Sequence, residues 1–216
     1  MRTSRKAVCV TRFRPDCSQL LFLYQGGAGM FFMPPMRFLR LSGADKRNLS
    51  LLRDPGTNYY HGELHADYPN IEVTIERQRQ IRQQCSHAHK VYCSGTSMGG
   101  YASILFGHYL EADTVYAFGA QSEINSTLVD PAVDIPVQHR DLAVLLANWN
   151  GRTRYRLYYA EDFEPDRSAA ERIAHCPGVE LFPVRGRSHN VFKEINGAKL
   201  LRGLFPPLEE RSWWRQ

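Results

Sequence analysis

The sequence contains one serine in a setting that could make it a nucleophile. Ser97 lies at the centre of GTSMG (95–99), within the longer stretch VYCSGTSMGGYASILFG (91–107). A serine at a tight turn between a strand and a helix has a strained backbone that lifts its hydroxyl clear of the sheet. The flanking positions must be small because the strand and the helix pass close to them, and Gly95 and Gly99 meet that requirement. The segment is therefore typical of a nucleophile elbow, whose chemistry is covalent catalysis.

The residues on both sides of the turn favour this interpretation. The run HKVYC (89–93) predicts a buried strand, and YASILFGHYL (101–110) predicts a helix of small and apolar residues. The helix would begin with backbone N–H groups beside the serine, and the N–H of Met98 is expected to be one donor to an oxyanion. The structural alternative is a glycine-rich bend in which Ser97 only forms a hydrogen bond.

A nucleophilic serine needs a base, and the base needs a carboxylate. With an elbow of this kind, the acid and then the histidine follow the serine along the chain. His189 follows the last predicted strand, at the sheet edge where active sites of open α/β proteins gather. The acid should follow the preceding strand. Asp162 is preferred as the acid because it comes directly off the strand end. Asp166 lies where a helix N-cap would, which is its structural alternative. A loop that bends back could nevertheless bring either carboxylate to His189.

A second oxyanion donor is expected from the loop after an early strand. The run LLFLYQ (20–25) ends in Gly26 and Gly27, where the backbone can approach a substrate without interference from a Cβ atom. We expect the N–H of Gly26 or of Gly27 to be this donor. A plain glycine turn is the alternative.

The elements that must position these residues alternate along the chain. Strands are predicted at 6–13, 19–25, 48–54, 89–95, 114–120, 155–162 and 178–186. Helices are predicted at 70–85, 97–112, 140–149, 166–176 and 190–205. This alternation predicts one three-layer α/β/α domain over residues 1–216 with a mostly parallel sheet. Residues 28–66 are the least readable part, since MFFMPPMRF (30–38) and NYYHGELH (58–65) fit no simple period.

Length and composition exclude several other classes of protein. No run approaches the roughly 18 apolar residues of a membrane span, and the N-terminus lacks the apolar core of a secretory signal. The net charge of +5 comes from basic residues spread along the chain, without a nucleic-acid-binding module, so we expect no nucleic-acid partner. Five scattered cysteines favour reduced thiols in a cytoplasm. His61 and His65 are four apart but lack the H-E-x-x-H order of zinc proteases, and the pair His87/His89 has no third ligand nearby, so no metal is expected.

The sequence resembles the α/β-hydrolase superfamily, and the resemblance rests on three segments. They are YCSGTSMGGYAS (92–103), YYAEDFEPD (158–166) and RGRSHNVF (185–192). The chain is also similar to small hydrolase-like proteins of bacterial surface-polysaccharide loci, in which LLRDPGTNYYHGE (51–63) and SHNV (188–191) have counterparts.

The resemblance implies an α/β-hydrolase fold and a function. It implies hydrolysis of an ester, on a carbohydrate or another small molecule, through an acyl-enzyme on Ser97 and without a cofactor. An acyltransferase with the same triad, and a binding protein that keeps the fold without the chemistry, are the alternatives. The aromatic or apolar segments NYYHGEL (58–64), MFFMPPM (30–36) and RSWWRQ (211–216) could line a pocket, pack in the core or form a subunit contact. The oligomeric state therefore stays open, with a homodimer as one alternative.

Overall fold

Seven strands form one sheet in the computed structural model, which describes residues 8–125, 127–194 and 197–208. The strands are β1 (Cys9–Arg12), β2 (Gln19–Tyr24), β3 (Asn48–Leu52), β4 (Lys90–Thr96), β5 (Thr114–Phe118), β6 (Arg154–Ala160) and β7 (Val179–Val184). The helices are α1 (Pro35–Ser42), α2 (Ile71–Gln84), α3 (Met98–Tyr109), α4 (Val137–Arg140), α5 (Leu142–Ala147), α6 (Glu164–Arg172), α7 (Val191–Glu194) and α8 (Gly197–Arg202). The strand order is β1-β3-β2-β4-β5-β6-β7, and only the β1–β3 pair is antiparallel among these strands.

The strand β2 separates two hydrophobic cores. All six of its residues are buried, which is the pattern of a strand covered on both faces. Leu20, Phe22 and Tyr24 pack into one core, under α2, α3 and α5. Leu21 and Leu23 pack into the other, under α1, α7 and α8. The predicted mostly parallel, three-layer α/β/α architecture is therefore confirmed.

The helix α1 lies in the part of the chain where the sequence showed no period. It follows Pro34, begins at Pro35, and ends at Gly43, which is left-handed with φ of 67°. Proline in the first turn and a left-handed glycine after the last turn are ordinary helix boundaries. However, the helix has only 8 residues, fewer than the window of about 11–18 residues over which a helical period is read, although it buries Phe38 and Leu39.

Two of the predicted helices differ in their described bounds from the sequence prediction. The predicted helix 140–149 is α5, preceded by the separate turn α4. The division falls at Asp141, whose side chain accepts a hydrogen bond from the Ala143 N–H and so caps α5. The predicted helix 190–205 is represented by α7 and α8, and residues 195–196 between them lie outside the described residues.

Three further observations concern the chain as a whole. None of the helices within the described ranges is long and apolar enough to cross a membrane. All five cysteines are free thiols, and four of them are buried. The aromatic segment 211–216 lies outside the described residues, as do residues 1–7.

Candidate active site

Ser97 occupies the turn between β4 and α3. Its backbone has φ of 55° and ψ of −122°, a conformation that costs a residue with a side chain on the order of 1–3 kcal/mol. The Ser97 N–H donates to the Phe118 carbonyl at the end of the neighbouring strand β5, 2.8 Å away. This bond fixes the strained turn against the sheet, at the edge formed by the carboxyl ends of the parallel strands.

Two glycines make this turn sterically feasible. A Cβ atom on Gly95 would lie 2.0 Å from the Gly99 carbonyl oxygen. A Cβ atom on Gly99 would lie 2.1 Å from the Tyr24 carbonyl oxygen in β2. Contacts this short exclude any side chain, so the tight strand-to-helix turn depends on glycine at both positions.

His189 and Asp166 form a close pair at the same edge of the sheet. The His189 Nδ1 lies 2.9 Å from both carboxylate oxygens of Asp166. The Asp166 side chain is fully buried, whereas the His189 side chain is 35% exposed. The rings of Phe32 and Phe163 pack on the imidazole, with centroids at 5.0 and 5.8 Å. A buried carboxylate at Nδ1 holds an imidazole in the tautomer whose Nε2 can accept a proton.

The preference for Asp162 over Asp166 is not supported by this geometry. Of the two residues, both within the described ranges, only Asp166 contacts His189. Asp162 has an exposed side chain, and its N–H donates to the Gly186 carbonyl at 2.9 Å. The N-cap interpretation of Asp166 is wrong as well, because the N-cap residue of α6 is Phe163. Asp166 instead lies inside the first turn of α6, with its carboxylate against the histidine.

Gly119 joins the serine and the histidine parts of the site, and no sequence pattern predicted it. It follows Phe118, the residue whose carbonyl accepts the Ser97 N–H. A Cβ atom on Gly119 would lie 3.0 Å from both the Asp166 Oδ2 and the His189 Cε1 atoms. Its φ of 55° is a second reason for glycine. A lone glycine after a strand is a weak signal, because its neighbours in space come from distant parts of the chain.

The candidate oxyanion donors differ in whether their N–H groups are engaged. Met98 is the first residue of α3, so its N–H has no partner inside the helix. The Gly26 N–H donates to the Met30 carbonyl at 2.7 Å, which removes Gly26 as a donor to a substrate. Gly27 begins the 3₁₀ turn Gly27–Gly29, where the geometry leaves its N–H without a partner inside the turn. Met98 and Gly27 therefore remain as candidates.

A second group of histidines lies in the core and not at this site. The His61 Nε2 lies 3.0 Å from the Tyr101 hydroxyl oxygen, and the His139 Nε2 lies 2.8 Å from the Tyr109 hydroxyl oxygen. His65, which the sequence pairs with His61, is exposed, and its Nδ1 lies 3.2 Å from the Asp67 Oδ2. No three potential metal ligands among His, Cys, Asp and Glu converge in the described part of the chain.

This buried pair of histidines predicts a loss of stability in mild acid. Burial lowers the pKa of His61 to about 3, with His139 as a smaller cause, and burial also lowers the pKa of His139. Below the ordinary histidine pKa of about 6.5, the unfolded chain takes up protons that the folded chain does not. We therefore expect the free energy of unfolding to fall as the pH falls, by about 2 kcal/mol for His61 alone between neutral pH and about pH 5.

Urea unfolding at these two pH values measures the loss. In His61→Gln the difference between the two pH values should shrink by that amount, whatever the variant's stability at neutral pH. His65→Gln is the matched control, since it makes the same substitution on a nearby exposed histidine. A change in the pH dependence as large as that in His61→Gln would contradict burial as the cause. An equal pH dependence in wild type and His61→Gln would contradict the prediction.

Comparisons with known proteins identify the fold. The sequence matches no protein-family model and no curated protein. Its structure is similar to the capsule O-acetyltransferase of Neisseria meningitidis serogroup A, with a TM-score of 0.64, 11% identity, and coverage of 93% of this chain and 92% of that one. It is also similar to a structure from work on the metagenome-derived lipolytic enzymes LipS and LipT, with a TM-score of 0.60, 13% identity, and coverage of 89% and 93%.

A third similar structure is the esterase domain of a Rhodothermus marinus protein. Its TM-score is 0.58 at 14% identity, and the likeness covers 91% of this chain and 95% of that one. Similar structures also include a hydrolase of the α/β superfamily from Xanthomonas campestris. The chain therefore has the α/β-hydrolase fold, which confirms the fold that the sequence resemblance implied.

Proposed function

We propose that the protein is a serine hydrolase that cleaves an ester, on a saccharide or another small molecule, through Ser97, His189 and Asp166. The observation that carries the proposal is the junction at Gly119. Ser97 is hydrogen-bonded to the residue before this glycine, and the His189–Asp166 pair lies against the glycine itself. A strained serine at the same sheet edge as an imidazole held by a buried carboxylate supports this assignment, because such an imidazole can take the proton of a hydroxyl that comes within hydrogen-bond distance.

The proposed reaction has two steps. In the first, the Ser97 oxygen attacks the ester carbonyl while His189 accepts the hydroxyl proton, and the leaving alcohol then takes that proton as its bond breaks. In the second step, a water molecule gives a proton to His189 and attacks the acyl-enzyme. His189 then returns the proton to the Ser97 oxygen as its bond to the acyl group breaks, which releases the acid and restores the serine. The negative oxygen of each tetrahedral intermediate would be held by the N–H groups of Met98 and Gly27, at the positive end of α3.

An acyltransferase is the second candidate function. Its support is the likeness in fold to the capsule O-acetyltransferase, which extends over most of both chains. The first step would be the same, and a sugar hydroxyl would replace water in the second.

We also propose that the protein acts in the cytoplasm. Its five cysteines are free thiols and four of them are buried, which is compatible with a reducing compartment.

Labelling with a fluorophosphonate probe tests the proposal. We expect the wild-type protein to be labelled and the adduct to map to Ser97 by mass spectrometry, together with turnover of p-nitrophenyl acetate. Turnover that accelerates when a saccharide acceptor is added, with acylated saccharide as product, would favour the acyltransferase. A folded wild-type protein that is neither labelled nor active would overturn both candidates and favour a binding protein.

A further inference from the structure

The turn that carries Gly27 is held at the peptide group just before it. In the peptide between Gln25 and Gly26, the carbonyl accepts a hydrogen bond from the Tyr60 hydroxyl at 2.7 Å. The N–H of the same peptide donates to the Met30 carbonyl at 2.7 Å. A Cβ atom on Gly26 would lie 2.6 Å from the Thr96 carbonyl oxygen, so this peptide lies directly against the residue before Ser97.

Tyr60 is itself held in a conformation that tyrosine seldom adopts. Its φ is 68°, in the left-handed region, at a cost of about 1–2 kcal/mol for a residue with a side chain. The Tyr60 N–H donates to the Asp54 Oδ2 at 2.9 Å, and the Gly56 N–H donates to the Asp54 Oδ1 at the same distance. The Tyr60 side chain is fully buried, and its ring lies edge-on to Tyr24 and Phe106. Asp54 and this packing therefore fix where the hydroxyl points.

We propose that Tyr60 is a positioning residue for the oxyanion hole, because its hydroxyl holds the Gln25 carbonyl and thereby sets the direction of the Gly27 N–H. The inference rests on the proposed function. A peptide group held at both ends cannot rotate. The next peptide carries the Gly27 N–H, and its carbonyl, that of Gly26, accepts a bond from the Gly29 N–H at 3.2 Å, so the Gly27 N–H keeps one orientation while both peptides are held. Without the Tyr60 hydroxyl, the peptide between Gln25 and Gly26 keeps only its bond to the Met30 carbonyl. Gly26 has no Cβ atom to restrict its own backbone, so this peptide can then rotate.

The chain offers a matched control for this role. Tyr24 is also fully buried, and its hydroxyl also donates to a buried acceptor, the Gln78 Oε1 at 3.0 Å. Its ring packs on Phe106, as the Tyr60 ring does. Tyr24→Phe and Tyr60→Phe thus each remove one buried hydroxyl, and only Tyr60→Phe removes a bond to the Gln25 carbonyl.

The test compares both variants with the wild type in p-nitrophenyl acetate hydrolysis. We expect Tyr60→Phe to lower kcat by about 10- to 100-fold with KM almost unchanged, since a small misplacement of a transition-state donor affects kcat first. Affinity for a trifluoromethyl ketone, which adds to a reactive serine as a tetrahedral oxyanion, should fall by a similar factor. Tyr24→Phe should keep the wild-type kcat even if its melting temperature falls as much.

A second variant covers the case in which Tyr60→Phe does not fold. Asp54→Asn keeps the Tyr60 hydroxyl but has only one oxygen to accept the two N–H groups, and it should lower kcat in the same way. A wild-type kcat in Tyr60→Phe, or an equal loss of kcat in Tyr24→Phe, would overturn the role of Tyr60 while leaving the proposed function intact. A wild-type protein without fluorophosphonate labelling would instead overturn the proposed function, and this inference with it.

Discussion

Ser97→Ala is expected to lower kcat for p-nitrophenyl acetate by up to about 10⁶-fold, to the residual rate that the oxyanion hole and substrate binding alone sustain. The variant removes the oxygen that would form the acyl-enzyme. It should fold like the wild type, because alanine is small enough for the turn and the Ser97 N–H bond to the Phe118 carbonyl involves only the backbone. Initial rates and fluorophosphonate labelling measure the loss, and circular dichroism checks the fold.

Ser94→Ala provides the matched control for that experiment. Ser94 lies in the same strand β4, is fully buried, and donates its hydroxyl to the Tyr116 carbonyl at 3.0 Å. Its loss should cost stability, about 1 kcal/mol for one hydrogen bond, and leave the turnover almost unchanged. A Ser97→Ala protein that keeps its turnover would mean that Ser97 is only a turn residue.

The elbow could be predicted from the sequence because its determinants are local. Gly95, Ser97 and Gly99 lie within five residues, and the crowding that requires the glycines comes from the same turn and from the adjacent strand β2. The sheet could be predicted for a similar reason, since each buried strand is a short apolar run between helical patterns. The helix α1 could not, because its 8 residues are too few for a helical period to be read.

The partners of the serine were harder to predict because their contacts are between distant segments. The position of Asp162 directly after the strand favoured it as the acid. In the structure, α6 begins so soon after β6 that Asp166 lies in its first turn and faces His189. Gly26 was a reasonable donor from the sequence, but in the structure its N–H is already engaged, because it donates to the Met30 carbonyl. No local pattern distinguishes Gly119 from an ordinary glycine after a strand.

Backbone strain collects around the proposed oxyanion hole. Besides Ser97, left-handed φ values occur at Ala28 and Phe32 in the loop after β2, and at Tyr60 in the loop after β3. Contacts hold Ser97, Tyr60 and Phe32 in place. The Phe32 carbonyl accepts a bond from the Asn190 side chain at 3.0 Å, which connects the loop after β2 to the residue following His189. Strain that is held by such contacts is typical of pre-organised sites.

Asp166→Asn is expected to lower kcat by about 10⁴-fold with a much smaller effect on KM. An asparagine can present an N–H group to the His189 Nδ1, and the imidazole then carries its proton on Nε2, where it can no longer accept the serine proton. The effect is expected to be large because the Asp166 side chain is fully buried, so no water molecule can take the place of its carboxylate beside His189.

Asp162→Asn is the matched control, since it makes the same chemical change on an exposed side chain four residues earlier in the same loop-to-helix segment. It should keep kcat within about twofold of the wild type, as surface substitutions usually do. Initial rates for both variants, with melting temperatures to verify folding, decide between the two carboxylates. A large loss in Asp162→Asn with normal turnover in Asp166→Asn would mean that the His189–Asp166 pair only supports the fold, and that the loop rearranges to bring the other carboxylate to the histidine.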